Sequence, residues 1–211
     1  MQIIENGLQF NGLQARSKTD LIVVHHSASA DVPAAEIHAW HLVRGWAGIG
    51  YHFVIRNDGS IERGRPQQAV GAHAGKKCNE HSIGICLCGN FMKELPSEPQ
   101  LISLIELVVW LKNYYKASAG EIDIKLHRQV TATECPGKLF PEKKFINRLQ
   151  QVLDNKLIID EWKLEVMQKA QAAGLIQEAH HPDDPAPKWF VLQVALNALG
   201  KIKNGGKALE G

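Results

Sequence analysis

The chain has 211 residues, 45% hydrophobic and 22% charged, the balance of a soluble globular protein with a full core. That composition excludes disordered, collagen-like and low-complexity classes. Its 24 Lys and Arg against 22 Asp and Glu leave a net charge of +2, far from the concentrated positive charge of sequence-independent nucleic-acid binding, so no nucleic-acid partner is expected.

The first twenty residues interrupt their apolar positions with Glu5, Asn6, Asn11 and Arg16, so no signal-peptide core is expected there. Leu21–Val24 is a β-branched run ending at His25-His26-Ser27, the pattern of a buried strand whose C-terminal end opens onto something chemical. Asp31 and Pro33 start a predicted helix over Ala34 to Val43, with Ile37, Trp40 and His41 on one face and Gly45 at its end. Tyr51–Ile55 alternates and is followed by the turn Asn57-Asp58-Gly59 and a return strand Ser60–Arg63. Ser82–Cys88 is the next predicted strand. Ser97–Gln100 has the form of a capping box before an apolar helix, Leu101 to Tyr115, and a strand follows at Glu121–Leu126. The most apolar stretch, Leu101–Leu111, carries Glu106 and is too short for a bilayer span of roughly 20 residues. No membrane insertion is expected.

This order predicts an α/β fold, a central mixed β-sheet flanked by helices, over residues 1–155. Residues 156–211 show no strand pattern and predict a small all-helical appendage. One helix would begin at Asp160 with Trp162, Val166 and Ala170 on a face and end at Gly174. A second would begin at Pro187 with Trp189, Leu192, Leu196 and Leu199.

Two candidate imidazoles end predicted strands, His25 and His127, and Cys135 lies eight positions after His127 in a loop closed by Pro136 and Gly137. Three protein ligands suit a catalytic zinc, which keeps its fourth position for water. Spacing alone leaves open a second reading, a buried His and a buried thiol unrelated to each other. His38 and His41, three apart on a helix, have no third partner in sequence and are expected to be packed or hydrogen-bonded. The His180-His181 and Asp183-Asp184 set lies among prolines, the composition of a turn. Cys86 and Cys88 share a strand face and are expected to be buried free thiols, with Cys78 in a Gly- and Lys-rich loop left open.

The strings LIVVHHSAS, WHLVRGWAGIGYHFVIRNDGSIERGR, AVGAHAGKKCNEHSIGICLCGNF and LHRQVTATECPGKLFP, in this order, resemble the zinc-dependent N-acetylmuramoyl-L-alanine amidases of the phage-lysozyme and peptidoglycan-recognition-protein superfamily. The likeness spans about residues 20 to 145. It implies hydrolysis of the amide between N-acetylmuramic acid and L-alanine in bacterial peptidoglycan, by water activated on one zinc ion per chain. The zinc ligands it implies are His25, His127 and Cys135, with His26 facing away from the metal by strand alternation. It places a catalytic tyrosine at Tyr51, an assisting residue at Thr133, and substrate-binding residues at His73 and Asn79.

Two departures stand out. The phage-lysozyme branch has a lysine where this chain has Thr133, so a hydroxyl replaces a positive charge. Arg65-Pro66 stands where recognition proteins carry a Gly-Trp pair associated with the choice of stem peptide. The resemblance implies a phage or prophage endolysin, held in the host cytoplasm until the membrane is permeabilised and then acting on the wall. The alternatives on the same fold are a non-catalytic peptidoglycan-binding protein and a regulatory protein. Residues 156–211 are a candidate wall-binding segment.

Overall fold

The computed structural model describes residues 1–176, with the backbone alone at 117–119 and 155–168. Among the described residues there are six strands, β1 (Ile3–Ile4), β2 (Leu21–His26), β3 (Phe53–Ile55), β4 (Ile61–Arg63), β5 (Ser82–Leu87) and β6 (Asp123–Leu126). The helices are α1 (Ala34–Val43), α2 (Lys76–Asn79), α3 (Glu98–Ala119) and α4 (Glu142–Ala172), with a short 3-10 turn at His127–Gln129. The strands form one sheet in the order β1-β4-β3-β5-β2-β6. Among the described strands only β3 and β4 pair antiparallel, through the turn at Gly59, whose φ of 88° a side chain would strain. The mixed α/β sheet expected from the sequence is therefore present.

Register decides which side chains share a face. Leu21, Val23 and His25 of β2 pair with Ser82, Gly84 and Cys86 of β5, and Cys86 pairs with Val54 of β3. Paired residues point to the same side of a sheet, so all of these share one face. On it, α1 packs Ala34 and Ile37 with Ile49, Val54 and Cys88. The opposite face presents Ile22, Val24, Ile83, Ile85, Phe53 and Ile55, all buried. Helix α3 covers that face: Trp110 meets the Phe53 ring, and Gln100 Nε2 donates to the carbonyls of Ile55 and Cys88. Strands β2 and β5 are buried along their whole length, which is why both read as continuous apolar runs.

The capping box is present, with Ser97 Oγ accepting from the Gln100 N–H and Gln100 Oε1 accepting from the Ser97 N–H. In α1, Trp40 is 37% exposed and His38 takes the buried place beside Ile37 and His41. The 3.6-residue period admits either neighbour, and the loop at Ile49–Gly50 gives His38 a partner (below). Tyr51 precedes β3 instead of lying on it, and β6 is two residues shorter than predicted. The two-residue β1 carries no sequence signal of its own.

Helix α4 corrects the expected helix start at Asp160, since one helix runs from Glu142 through that position to Ala172. Gly174, at φ 61°, follows its end as expected. Residues Met1–Leu149 form one compact unit, with Phe145 and Leu149 of α4 buried in it, and a second unit begins at Gln150. The second predicted helix, with Trp189, and the His180 to Asp184 set lie outside the described residues, and Trp162 and Val166 fall where only backbone is described. Among the described residues no helix is long and apolar enough to cross a membrane.

Candidate metal centre and active site

His25 ends the inward face of β2 and is fully buried, while alternation turns His26 to the far face. There His26 Nδ1 accepts the Phe91 N–H and its ring lies against the Phe91 ring. His127 follows β6, the strand beside β2, so parallel pairing delivers both imidazoles to the same sheet end. Their ring centroids are 4.3 Å apart. Cys135 is returned to His127 by its own loop: the Arg128 N–H donates to the Cys135 carbonyl, and the Arg128 guanidinium holds the Gly137 carbonyl and Glu142.

His25, His127 and Cys135 thus come together, with one ligand atom from each within 4.8 Å of the others. Cys135 Sγ lies 3.8 Å from His25 Nδ1, close to the edge of about 3.6 Å that a tetrahedral zinc imposes between a nitrogen and a sulfur ligand. Burial, then His73 and His127, hold the His25 imidazole well below its ordinary value, and burial also lowers His127. Both rings are therefore neutral at pH 7, the form that ligates metals. Burial pushes the Cys135 thiol up to about 11, so its thiolate needs a cation close by, which a metal supplies. The set fits a divalent metal of the zinc type.

Tyr51 lies beside His25, its ring 5.1 Å from that of His25. Burial, with Cys86 and Cys135 beside it, raises its phenol well above the ordinary value. It keeps its proton at neutral pH and is available as a donor. The loop that carries it is clamped from three sides. His38 Nδ1 accepts the Ile49 N–H and His41 Nδ1 accepts the Gly50 N–H. Arg65 is 5% exposed and donates to the carbonyls of Gly48, Ile49 and Val70. The Arg65 N–H also donates to the Tyr51 carbonyl. The helix histidines are hydrogen-bonded, as expected. Arg65 is committed to backbone, a use that a sequence cannot signal because its acceptors are carbonyls brought near by the fold.

Thr133 is exposed, and its Oγ1 accepts the Cys135 N–H at 3.3 Å. His73 lies beside His25, with Nδ1 3.0 Å from His25 Nε2, and burial and then His127 lower its imidazole to about 3. Asn79 is buried, and its Oδ1 accepts the N–H groups of His73 and Ala74. Cys86 and Cys88 are fully buried, and none of the four cysteines, Cys78 among them, forms a disulfide. Sequence reasoning missed His52, wholly buried, whose Nδ1 accepts the Gly84 N–H and whose Nε2 faces the Ala69 carbonyl.

Residues 15–138 match the family model of N-acetylmuramoyl-L-alanine amidases. The chain is 39% identical over 129 residues to the endolysin of Escherichia phage T7, covering 57% of this chain and 82% of the relative. It is 32% identical over 180 residues to peptidoglycan-recognition protein LB of Drosophila melanogaster, 79% of this chain and 76% of that one. The solved structure of the amidase LysC from Clostridium intestinale superposes with a TM-score of 0.67 at 39% identity, over 71% of this chain and 98% of that one. Matched in family model, sequence and fold across the segments that build the site, the chain belongs to the N-acetylmuramoyl-L-alanine amidase family and hydrolyses the amide between N-acetylmuramic acid and L-alanine in peptidoglycan.

Proposed function

We propose that this amidase is a zinc-dependent phage or prophage endolysin, with one zinc per chain held by His25, His127 and Cys135. The observation that carries the reading is the convergence of these three ligand atoms within 4.8 Å, with the Tyr51 ring beside His25. The chemistry such a site supplies is Lewis acidity, which brings the pKa of water toward about 7 and polarises the amide carbonyl. Tyr51, protonated and braced through its loop, donates a hydrogen bond to the oxyanion that forms at that carbonyl. Thr133, adding no charge, holds the Cys135 backbone and offers its hydroxyl to the substrate. Asn79 serves binding by fixing the His73–Ala74 backbone beside His25. The C–N bond breaks, the lactyl carbon gains a hydroxyl, and the L-alanine nitrogen takes a proton.

The endolysins of phages T7 and T3 among the relatives support a lysin that waits in the host cytoplasm and reaches the wall once the membrane is permeabilised. A recognition-protein relative solved in complex with tracheal cytotoxin supports a peptidoglycan fragment as the ligand of this site. Residues 156–211 are proposed to assist wall binding. Digestion of purified sacculi by the full chain, followed by mass analysis, should release peptides with free L-alanine N-termini. A chelator should stop release, and added zinc should restore it. Cleavage at another bond, or activity indifferent to chelation, would overturn the reading.

A further inference from the structure

His73 is held by close packing as well as by hydrogen bonds. Its ring lies over β5 where that strand has glycine: a Cβ at Gly84 would fall 2.6 Å from the ring's Cγ and Cδ2, and one at Gly71 would fall 2.5 Å from Cδ2. Glycine within a strand commonly marks a close approach by another group. Here the gap in β5 admits an imidazole, and Asn79 fixes the backbone that delivers it.

The hydrogen bonds run in one direction. His25 turns Nδ1 toward Cys135 and Nε2 toward His73 Nδ1 at 3.0 Å. An imidazole that ligates through Nδ1 carries its proton on Nε2, so His25 donates and His73 Nδ1 accepts. His73 then carries its own proton on Nε2, which faces Ser82 Oγ at 3.4 Å. Ser82 is wholly buried and donates to the Cys78 carbonyl at 2.6 Å. Every proton in this row has an acceptor, and both nitrogens of His73 are engaged within the protein. That leaves the ring no free polar atom for substrate.

We propose that His73 is a positioning residue for the candidate metal ligand His25, holding that ring's tautomer and angle through the row His25, His73, Ser82 and the Cys78 carbonyl. The inference rests on the metal reading above, and differs from the substrate-binding role that the sequence resemblance implied. Outer partners of ligating histidines fix orientation, and their loss weakens metal binding by about 10- to 100-fold.

The test titrates the full chain with zinc against a chelator of known affinity. Wild-type protein that takes up no zinc overturns the metal reading itself. With wild type binding, H73L, which fills the gap without an acceptor, should bind zinc about 10- to 100-fold more weakly. H73N places an amide oxygen near the position of Nδ1 and should recover affinity to within about threefold of wild type. S82A should weaken zinc binding by about threefold or more. Zinc affinity of H73L equal to wild type, or H73N as weak as H73L, overturns the proposal. A raised KM for soluble muropeptides at unchanged zinc affinity also overturns it, by marking His73 as a substrate contact. Should H73L lose its cooperative melt, S82A decides, and unchanged affinity in S82A overturns the proposal.

Discussion

His127 is half-buried, and only its ring joins the candidate ligand group. His127→Ala should therefore lose zinc and lytic activity while the sheet beneath it keeps its melt. Elemental analysis showing stoichiometric zinc, with full lysis, would reject the ligand assignment. Tyr51 differs in kind, because its ring fills space beside His25 and only its hydroxyl is offered to chemistry. Tyr51→Phe should keep zinc and stay within about 1 kcal/mol of wild-type stability. Its turnover should fall by roughly 10²-fold, the usual loss for one oxyanion donor. Equal turnover in the two proteins would remove Tyr51 from the mechanism.

Helix α3 begins with a cap whose two members carry unequal loads. Ser97 accepts the Gln100 N–H and donates to the Asn57 carbonyl at a partly exposed helix start, so Ser97→Ala should cost about 1 kcal/mol. Gln100 is 1% exposed, and its amide satisfies the carbonyls of both β3 and the residue after β5 as well as the Ser97 N–H. Gln100→Ala should cost about 2 kcal/mol or more, since it takes the side-chain donor from the buried Cys88 carbonyl, one of two donors from the Ile55 carbonyl, and half of the cap. Denaturant melts giving the two variants equal stability would show that α3 is not tied to the sheet through this amide.

The whole amidase unit carries buried neutral histidines on one sheet face. Burial lowers His25 and His52 well below their ordinary value, His41 to about 4 and His73 to about 3. The unfolded chain titrates these rings near the ordinary 6.5, so below that pH it binds protons that the folded state refuses. Their contribution is complete above about pH 6.5 and is lost as pH falls toward the folded values. Metal-free protein should show a melting temperature that drops between about pH 6.5 and 4, and a flat profile over that range would contradict the burial of these rings. At the same scale, a chain ending at Asn155 keeps Phe145 and Leu149 of α4 within the amidase unit. It should cleave small soluble muropeptides at close to the full rate while sedimenting less with whole walls, as expected when a second attachment is lost. Unchanged wall binding would remove residues 156–211 from targeting.

Local pattern and the family resemblance made much of this protein legible in its sequence. The runs at Leu21–Val24 and Ser82–Leu87 announce strands buried on both faces, Ser97–Gln100 announces the start of α3, and Asn57–Gly59 announces the only antiparallel pair among the described strands. The motif strings pointed to His25, His127, Cys135 and Tyr51. Tertiary structure decided what depends on neighbours distant in the chain: Trp40 turned outward and His38 inward, and Arg65 was spent on backbone carbonyls. It also set the ring of His73 in the gap above Gly84, between His25 and Ser82. Periodicity reports only whether a position faces in or out. The partner a buried polar group finds is set by strand register and loop crossing, which bring His25, His73 and Ser82 together from three separate segments.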